Sequence, residues 1–167
     1  MKTELYKALK GINVENLSEE DKEELLRFFV VAQTNVIRNQ IAFIFSDANF
    51  NKAIPFIIDK INDKDLSHSN GSLVYALENL DVKEYFIDFI KMICEMEYEP
   101  RYQAYEIVQK FAPTISKEVR EKALKLLEER RMLLQIKSAD WESDSPLNFV
   151  EQTIELIQRL QQREDDL

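Results

Sequence analysis

Three consecutive segments decide the fold: residues 35–66, NVIRNQIAFIFSDANFNKAIPFIIDKINDKDL, residues 67–98, SHSNGSLVYALENLDVKEYFIDFIKMICEMEY, and residues 99–131, EPRYQAYEIVQKFAPTISKEVREKALKLLEERR. Each contains two stretches whose apolar residues are spaced as on one face of an α-helix. These positions return in the next segment after 31 to 33 residues. They are Ile41, Leu73 and Ala104, then Phe45, Leu77 and Val108, in the first stretch, and Ile54, Phe86 and Val119, then Ile58, Ile90 and Ala123, then Ile61, Ile93 and Leu126, in the second. The pattern predicts three helix pairs repeated as in an α-solenoid.

A polar residue stands three positions before the first apolar position of each segment: Arg38, Asn70 and Arg101. The stretch from Arg38 to Leu127 resembles short bacterial HEAT-like repeats, most closely in NVIRNQIAFIFSDANFNKAIPFIIDKI and NGSLVYALENLDVKEYFIDFIKMI. The resemblance implies an all-α fold, an α-solenoid of about three HEAT-like helix pairs with N- and C-terminal capping helices. The units are shorter than the usual ~40–47 residues of HEAT repeats, and Asn70 replaces the Arg of the other two segments.

The segments that flank the repeats are predicted to cap them. We expect a single domain over residues 1–167, with N-terminal helices over residues 1–34 and the repeats over residues 35–131. Residues 132–167 are expected to form a loop and a C-terminal capping helix, because the last core face of a solenoid is otherwise open.

Local signals predict where several helices begin and end. The first helix is expected to end at Gly11, and Ser18, followed by three acids, is expected to cap the second. Asp81 with Glu84, and Ser116, are the predicted caps of later helices. The predicted buried positions of the terminal helices are Leu5, Ala8 and Leu9, then Leu25, Leu26, Phe28 and Phe29, and finally Phe149, Val150, Ile154, Ile157 and Leu160.

Composition supports an all-helical chain and disfavours nucleic-acid binding. The 167 residues include two glycines, Gly11 and Gly71. A β-rich chain needs more glycine for turns with positive φ, and a Gly-rich phosphate loop is excluded on the same ground. The net charge of −9 would repel a phosphate backbone.

The same sequence contains no targeting or membrane-spanning signal. The N-terminus, MKTELYKALK, lacks the apolar run of a signal peptide, and no stretch approaches the ~20 apolar residues of a membrane span. One cysteine permits no disulfide within the chain. We therefore expect a cytoplasmic protein with no membrane partner.

Catalytic and metal chemistry has few candidate residues. His68 and Cys94 are the single histidine and cysteine, and one of each does not make an ordinary zinc site. Cys94 is expected to be a small hydrophobe on a buried helix, and His68 a loop residue. Trp141, in an acidic loop, is expected to fold back over the core. We predict no catalytic residue, no metal and no cofactor, and hence no enzyme activity.

Charge is distributed unevenly along the repeats. Residues 76–100 carry a net charge of −5 and residues 116–137 a net charge of +3. Second helices line the concave face of HEAT-type solenoids, so the resemblance places Asp59, Asp88, Lys91 and Glu95 near a groove. Two aromatic residues outside the core pattern, Phe56 and Tyr98, are candidate anchors there. The alternatives are that these aromatic residues pack on neighbouring units and that the charged face is only solvated.

These features favour a non-catalytic scaffold, adaptor or inhibitor that binds a protein partner. A basic partner fits best, and an acidic immunity-type protein is one concrete version. The alternative is a HEAT-like enzyme or accessory subunit, of the DNA-repair or pigment-attachment type, which rests on fold analogy. A plain helical bundle with chance periodicity is a third interpretation. The oligomeric state stays open.

Overall fold

The computed structural model describes residues 2–63, 70–137 and 145–165. Within these ranges helices are the only regular secondary structure, so the predicted all-α class is confirmed. No helix there combines the length and hydropathy needed to cross a membrane. The α-helices are α1 (Lys2–Lys10), α2 (Glu19–Val31), α3 (Asn35–Asp47), α4 (Ile54–Asn62), α5 (Gly71–Ala76), α6 (Phe86–Glu95), α7 (Tyr98–Phe111), α8 (Lys117–Lys137) and α9 (Pro146–Asp165).

The helices form two compact units, Met1–Asp81 and Val82–Leu167. The division falls between α5 and α6, inside the predicted middle helix pair. The prediction of one domain over the whole chain stays a prediction.

In the N-terminal unit, α3 is the central helix. Both α1 and α2 pack against α3, and α5 packs against α3 and α4. The core is aromatic where α2 meets α3, because the fully buried rings of Phe29 and Phe45 meet edge to face at 5.8 Å. The sequence pattern predicted both of these positions.

Two of the predicted helix boundaries in this unit are confirmed. Gly11 follows the last residue of α1, and its N–H donates to the carbonyl oxygens of Lys7 and Ala8. Ser18 forms a capping box with Asp21: the Asp21 N–H donates to Ser18 Oγ at 3.1 Å, and the Ser18 N–H donates to Asp21 Oδ2 at 2.9 Å.

In the C-terminal unit, α6 packs against α7, α8 and α9, and α9 also packs against α7 and α8. The predicted Ser116 cap is confirmed, since Ser116 Oγ accepts from the Val119 N–H at 3.4 Å. The predicted Asp81–Glu84 cap is wrong. A 3-10 turn, Lys83–Tyr85, leads into α6, and the N-cap residue Tyr85 makes no side-chain cap bond.

The aligned apolar positions are buried in all three first helices and in the second helices α4 and α6. In α8, Ala123 is buried as predicted, but the alignment is wrong by one position at the other two sites. Val119 and Leu126 are half-exposed, whereas Arg120 and Leu127 are buried. The α8 register differs because the buried Arg120 forms an ion pair with Glu164 of α9.

The aligned polar positions are also buried, and two of them make the same kind of hydrogen bond. Asn70 Nδ2 donates to the carbonyl oxygen of Ile61 at 2.6 Å, in the last turn of α4. Arg101 Nε donates to that of Ile93 at 3.0 Å, in the last turn of α6. Ile61 and Ile93 are themselves aligned, so each bond is made to a carbonyl in the last turn of the preceding helix, where backbone carbonyls run out of partners within the helix.

Several predicted positions differ from the structure. Phe28, predicted to be buried, is 45% exposed; Leu5 and Ala8 are also exposed, and Leu25 is half-exposed. Of the predicted inner face of α9, Leu160 is half-exposed while the other four residues are buried. His68 and Trp141 lie outside the described residues.

Candidate functional site

The six predicted contact residues are distributed over both compact units. Phe56 and Asp59 lie on α4 of the N-terminal unit and are exposed. Asp88 and Lys91 lie on α6 of the C-terminal unit, where Lys91 Nζ and Asp88 Oδ1 form an ion pair at 3.5 Å. Because these two side chains are paired with each other, they are less available to contact a partner protein.

Glu95 and Tyr98 lie on either side of the junction between α6 and α7. Glu95 is the last residue of α6, and Tyr98 is the first residue of α7. Tyr98 therefore belongs to a first helix of the predicted pairs, whereas the predicted groove is lined by second helices. This junction is the part of the predicted site that the structure brings together.

Tyr98 is one end of a row of tyrosines along α7. Tyr98, Tyr102 and Tyr105 follow the i, i+4, i+7 spacing of one helix face. The rings of Tyr98 and Tyr102 stack with centroids 6.3 Å apart, and they are 49% and 41% exposed. We call these three side chains the tyrosine face.

Phe149 of α9 packs against all three rings of the tyrosine face. Its ring lies 6.1 Å from that of Tyr98, 6.4 Å from that of Tyr102 and 5.6 Å from that of Tyr105, each time edge to face. Phe149 itself is 7% exposed. Edge-to-face contacts of this kind add stability beyond the buried area, so the tyrosines are held by a fixed platform.

The opposite side of α7 fixes the direction in which the tyrosines point. Arg101, Ala104 and Val108 are buried, and Arg101 also donates through Nη2 to the carbonyl oxygen of Met96. Arg101 thus ties the first turn of α7 to the last turn of α6. Because that side of α7 is anchored, the tyrosine side chains face α9 and solvent.

Carboxylates border the exposed end of the tyrosine face. Glu95, Glu97 and Glu99 are all exposed, and Glu97 is the N-cap residue of α7. Within the described ranges no lysine, arginine or histidine forms an ion pair with any of the three. Two exposed rings beside unpaired carboxylates suit a cationic side chain, which gains from both.

The other end of the tyrosine face opens into a polar cleft of about 190 Å³ between α7 and α9. Tyr105 Oη accepts a hydrogen bond from Gln109 Nε2 at 2.9 Å. Burial raises the pKa of Tyr105, and the negative charges of Glu106 and Glu155 raise it further. The phenol therefore stays protonated at neutral pH and can act as a hydrogen-bond donor.

Cys94 lies in the core, as predicted. It is 5% exposed, and burial raises the pKa of its thiol to about 11. A thiol of this kind is a poor nucleophile at neutral pH. Among the described residues no group of three or more His, Cys, Asp or Glu side chains is placed to hold a metal ion.

Comparisons with family models, with curated proteins and with solved structures found no match for this chain.

Sequence reasoning found Tyr98 and missed its neighbours. Tyr102, Tyr105 and Phe149 complete the aromatic cluster. The signal for the two tyrosines was present, since their spacing from Tyr98 repeats one helix face. The contact with Phe149, 44 residues further along the chain than Tyr105, could not be read from spacing.

Proposed function

We propose that this protein is a non-catalytic binding module that recognises a basic protein partner through the tyrosine face and the adjoining glutamates. The observation that carries the proposal is the stacked, exposed pair Tyr98–Tyr102 beside Glu95, Glu97 and Glu99. An adaptor or an inhibitor, including an immunity-type inhibitor, would use such a surface. We also propose a cytoplasmic location.

The chemistry of the surface matches what binding energy in protein interfaces requires. Tyrosine is enriched among the residues that dominate interface energy, because it contributes large area at low entropic cost. An arginine on the partner could stack on Tyr98 or Tyr102 while pairing with Glu99. The net charge of −9 would speed the encounter with a basic surface.

We also propose that the pairs α3–α4, α5–α6 and α7–α8 are HEAT-like units of an α-solenoid. Two aligned hydrogen bonds support this, Asn70 to Ile61 and Arg101 to Ile93. Chance periodicity in apolar residues does not account for two polar side chains, of the three aligned, that repeat both their position and their type of acceptor.

The proposal is tested by affinity capture with the full chain, followed by titration of each identified partner in purified form. We expect a partner of high pI whose Kd rises steeply with salt concentration. The double variant Tyr98→Ala/Tyr102→Ala should weaken its binding by about thirtyfold or more, the loss of one or two dominant contacts.

Tyr75→Ala is the matched control for this experiment. Tyr75 is 52% exposed in the N-terminal unit, and its ring contacts Phe43 edge to face at 6.2 Å. The control should leave the Kd unchanged. The proposal fails if the double variant binds the partner as tightly as the control does, or if the wild type binds duplex DNA tightly at low salt.

A further inference from the structure

A groove lies between α1 and α2 in the N-terminal unit, because both helices pack on α3. Its volume is about 290 Å³. Phe28 on one wall is 45% exposed, and Leu5 on the other is 37% exposed. The apolar residues that line this α1–α2 groove are Leu5, Leu9, Ile12, Leu17, Leu25 and Phe28.

The charged residues that line the groove are both acidic, Asp21 and Glu24. Asp21 is occupied by the capping box with Ser18. Glu24 has no ion pair within the described part of the chain. The neighbouring Lys22 is paired with Glu19 at 2.7 Å rather than with Glu24.

We propose that the α1–α2 groove is a second docking surface, which accepts an amphipathic helix of a partner protein with a lysine or arginine beside Glu24. This goes beyond the basic-partner function, because the groove lies in the other compact unit and shares no residue with the tyrosine face. A bulky apolar side chain from the docked helix fills the space between Leu5 and Phe28.

Three features argue for an amphipathic helix with a basic residue as the occupant. A groove between two helices receives apolar side chains spaced at i, i+3 or i+4, and i+7. Its volume is at the lower end of the ~300–1,000 Å³ found for small-molecule sites, and fits one or two side chains. Glu24 is the one lining carboxylate not used in capping, so it offers charge complementarity to a cation and nothing to an anion.

The test uses the full chain and a fluorescent Leu/Lys/Ala peptide of about 16 residues, a length at which isolated helices begin to form. Its leucines follow the i, i+4, i+7 spacing. Two control peptides are used. One has the same composition in scrambled order, and the other has glutamates in place of the lysines. Fluorescence anisotropy should show binding of the amphipathic basic peptide, with both other peptides at least about tenfold weaker.

Single substitutions in the groove show where the amphipathic basic peptide binds. Phe28→Ala should weaken this binding about tenfold or more, and Leu5→Ala, from the opposite wall, gives a second measurement if Phe28→Ala lowers folding. Glu24→Gln should weaken it about threefold and reduce its salt dependence. Val31→Ala is the matched control, since Val31 is an exposed apolar residue of the same helix that does not line the groove.

Four outcomes would overturn the proposal: no binding at millimolar peptide, equal binding of the scrambled peptide, unchanged binding by both wall variants, or loss of binding only in Tyr98→Ala/Tyr102→Ala. A wild-type dimer that Phe28→Ala dissociates would identify a second copy as the occupant instead. Vesicles containing anionic lipid that bind wild type and release Phe28→Ala would identify a membrane surface. Because these variants leave the tyrosine face intact, failure here is distinguishable from failure of the basic-partner proposal.

Discussion

At the scale of single residues, the buried thiol of Cys94 links stability to pH. Burial raises its pKa in the folded protein to about 11, against about 8.5 in an unfolded chain. The folded state therefore holds the proton more tightly, and the stabilisation is complete below the unfolded pKa. It is lost as the pH rises through the folded pKa, so we expect the contribution of Cys94 to fall by about 2–3 kcal/mol between pH 9 and 11.

The measurement is urea unfolding, followed by circular dichroism, of wild type and Cys94→Ala across that pH range. Lysines and tyrosines titrate there too, but they are common to both proteins and drop out of the difference in unfolding free energy. That difference should shrink toward high pH. A constant difference up to pH 11 would show that the thiol titrates at an ordinary pKa in the folded protein.

The sequence predicted Cys94 well because burial of a helix face follows from spacing alone. It aligned Arg38, Asn70 and Arg101 correctly but gave no role to them. The role of Asn70 and Arg101 depends on backbone carbonyls of the preceding helix, those of Ile61 and Ile93, which a side-chain pattern does not describe. A buried polar residue in a repeat is the signal that such a partner exists.

At the scale of elements, α9 is held to α8 by the ion pair between Arg120 and Glu164. Arg120 is nearly fully buried, and its Nε and Nη1 atoms have no hydrogen-bond acceptor among the described residues. Glu164 is about half exposed, which weakens the pair through solvent screening. We expect Glu164→Gln to cost about 1–3 kcal/mol, because it leaves the guanidinium buried without its counter-charge.

Glu155→Gln on the same helix is the matched control. Its partner Arg159 lies one turn away at 2.9 Å, and both side chains are largely exposed, so the loss should be about 0.5 kcal/mol or less. Hydrogen exchange should show faster opening of the last turns of α9 in Glu164→Gln only. Equal losses in the two variants would mean that the Arg120–Glu164 pair contributes no more than a surface pair.

The same pair explains where sequence reasoning failed on α8. Helix existence follows from apolar spacing, and the boundaries at Gly11, Ser18 and Ser116 follow from local signals; these were predicted. The register of α8 was set one position away because Val119 and Leu126 look like core residues and Arg120 does not. A buried arginine becomes intelligible only once Glu164, 44 residues further along the chain, is placed beside it.

At the scale of the whole molecule, the sequence indicated one candidate contact surface, and we propose two from the structure. The predicted groove combined Phe56 and Asp59 with four residues that lie in the other compact unit. Of the three residues of the tyrosine face, the sequence analysis predicted Tyr98 as a contact residue. The sequence did not indicate the α1–α2 groove, because Leu5 and Phe28 follow the core pattern of their helices. Their exposure depends on how α1 and α2 pack on α3.

Since each surface is lined by residues of a single unit, we expect the two to bind independently. Saturating the α1–α2 groove with the amphipathic peptide should change the Kd of the basic partner by less than about twofold. In the combined variant, the loss in peptide binding should equal that of Phe28→Ala alone, and the loss in partner binding should equal that of Tyr98→Ala/Tyr102→Ala alone, each within about 0.5 kcal/mol. Calorimetric titration at about 0.15 M salt is the suitable measurement, because a Debye length near 8 Å screens long-range repulsion between two cationic ligands. A change of fivefold or more would instead reveal a coupling free energy of about 1 kcal/mol, and direct competition would mean that peptide and partner share one surface.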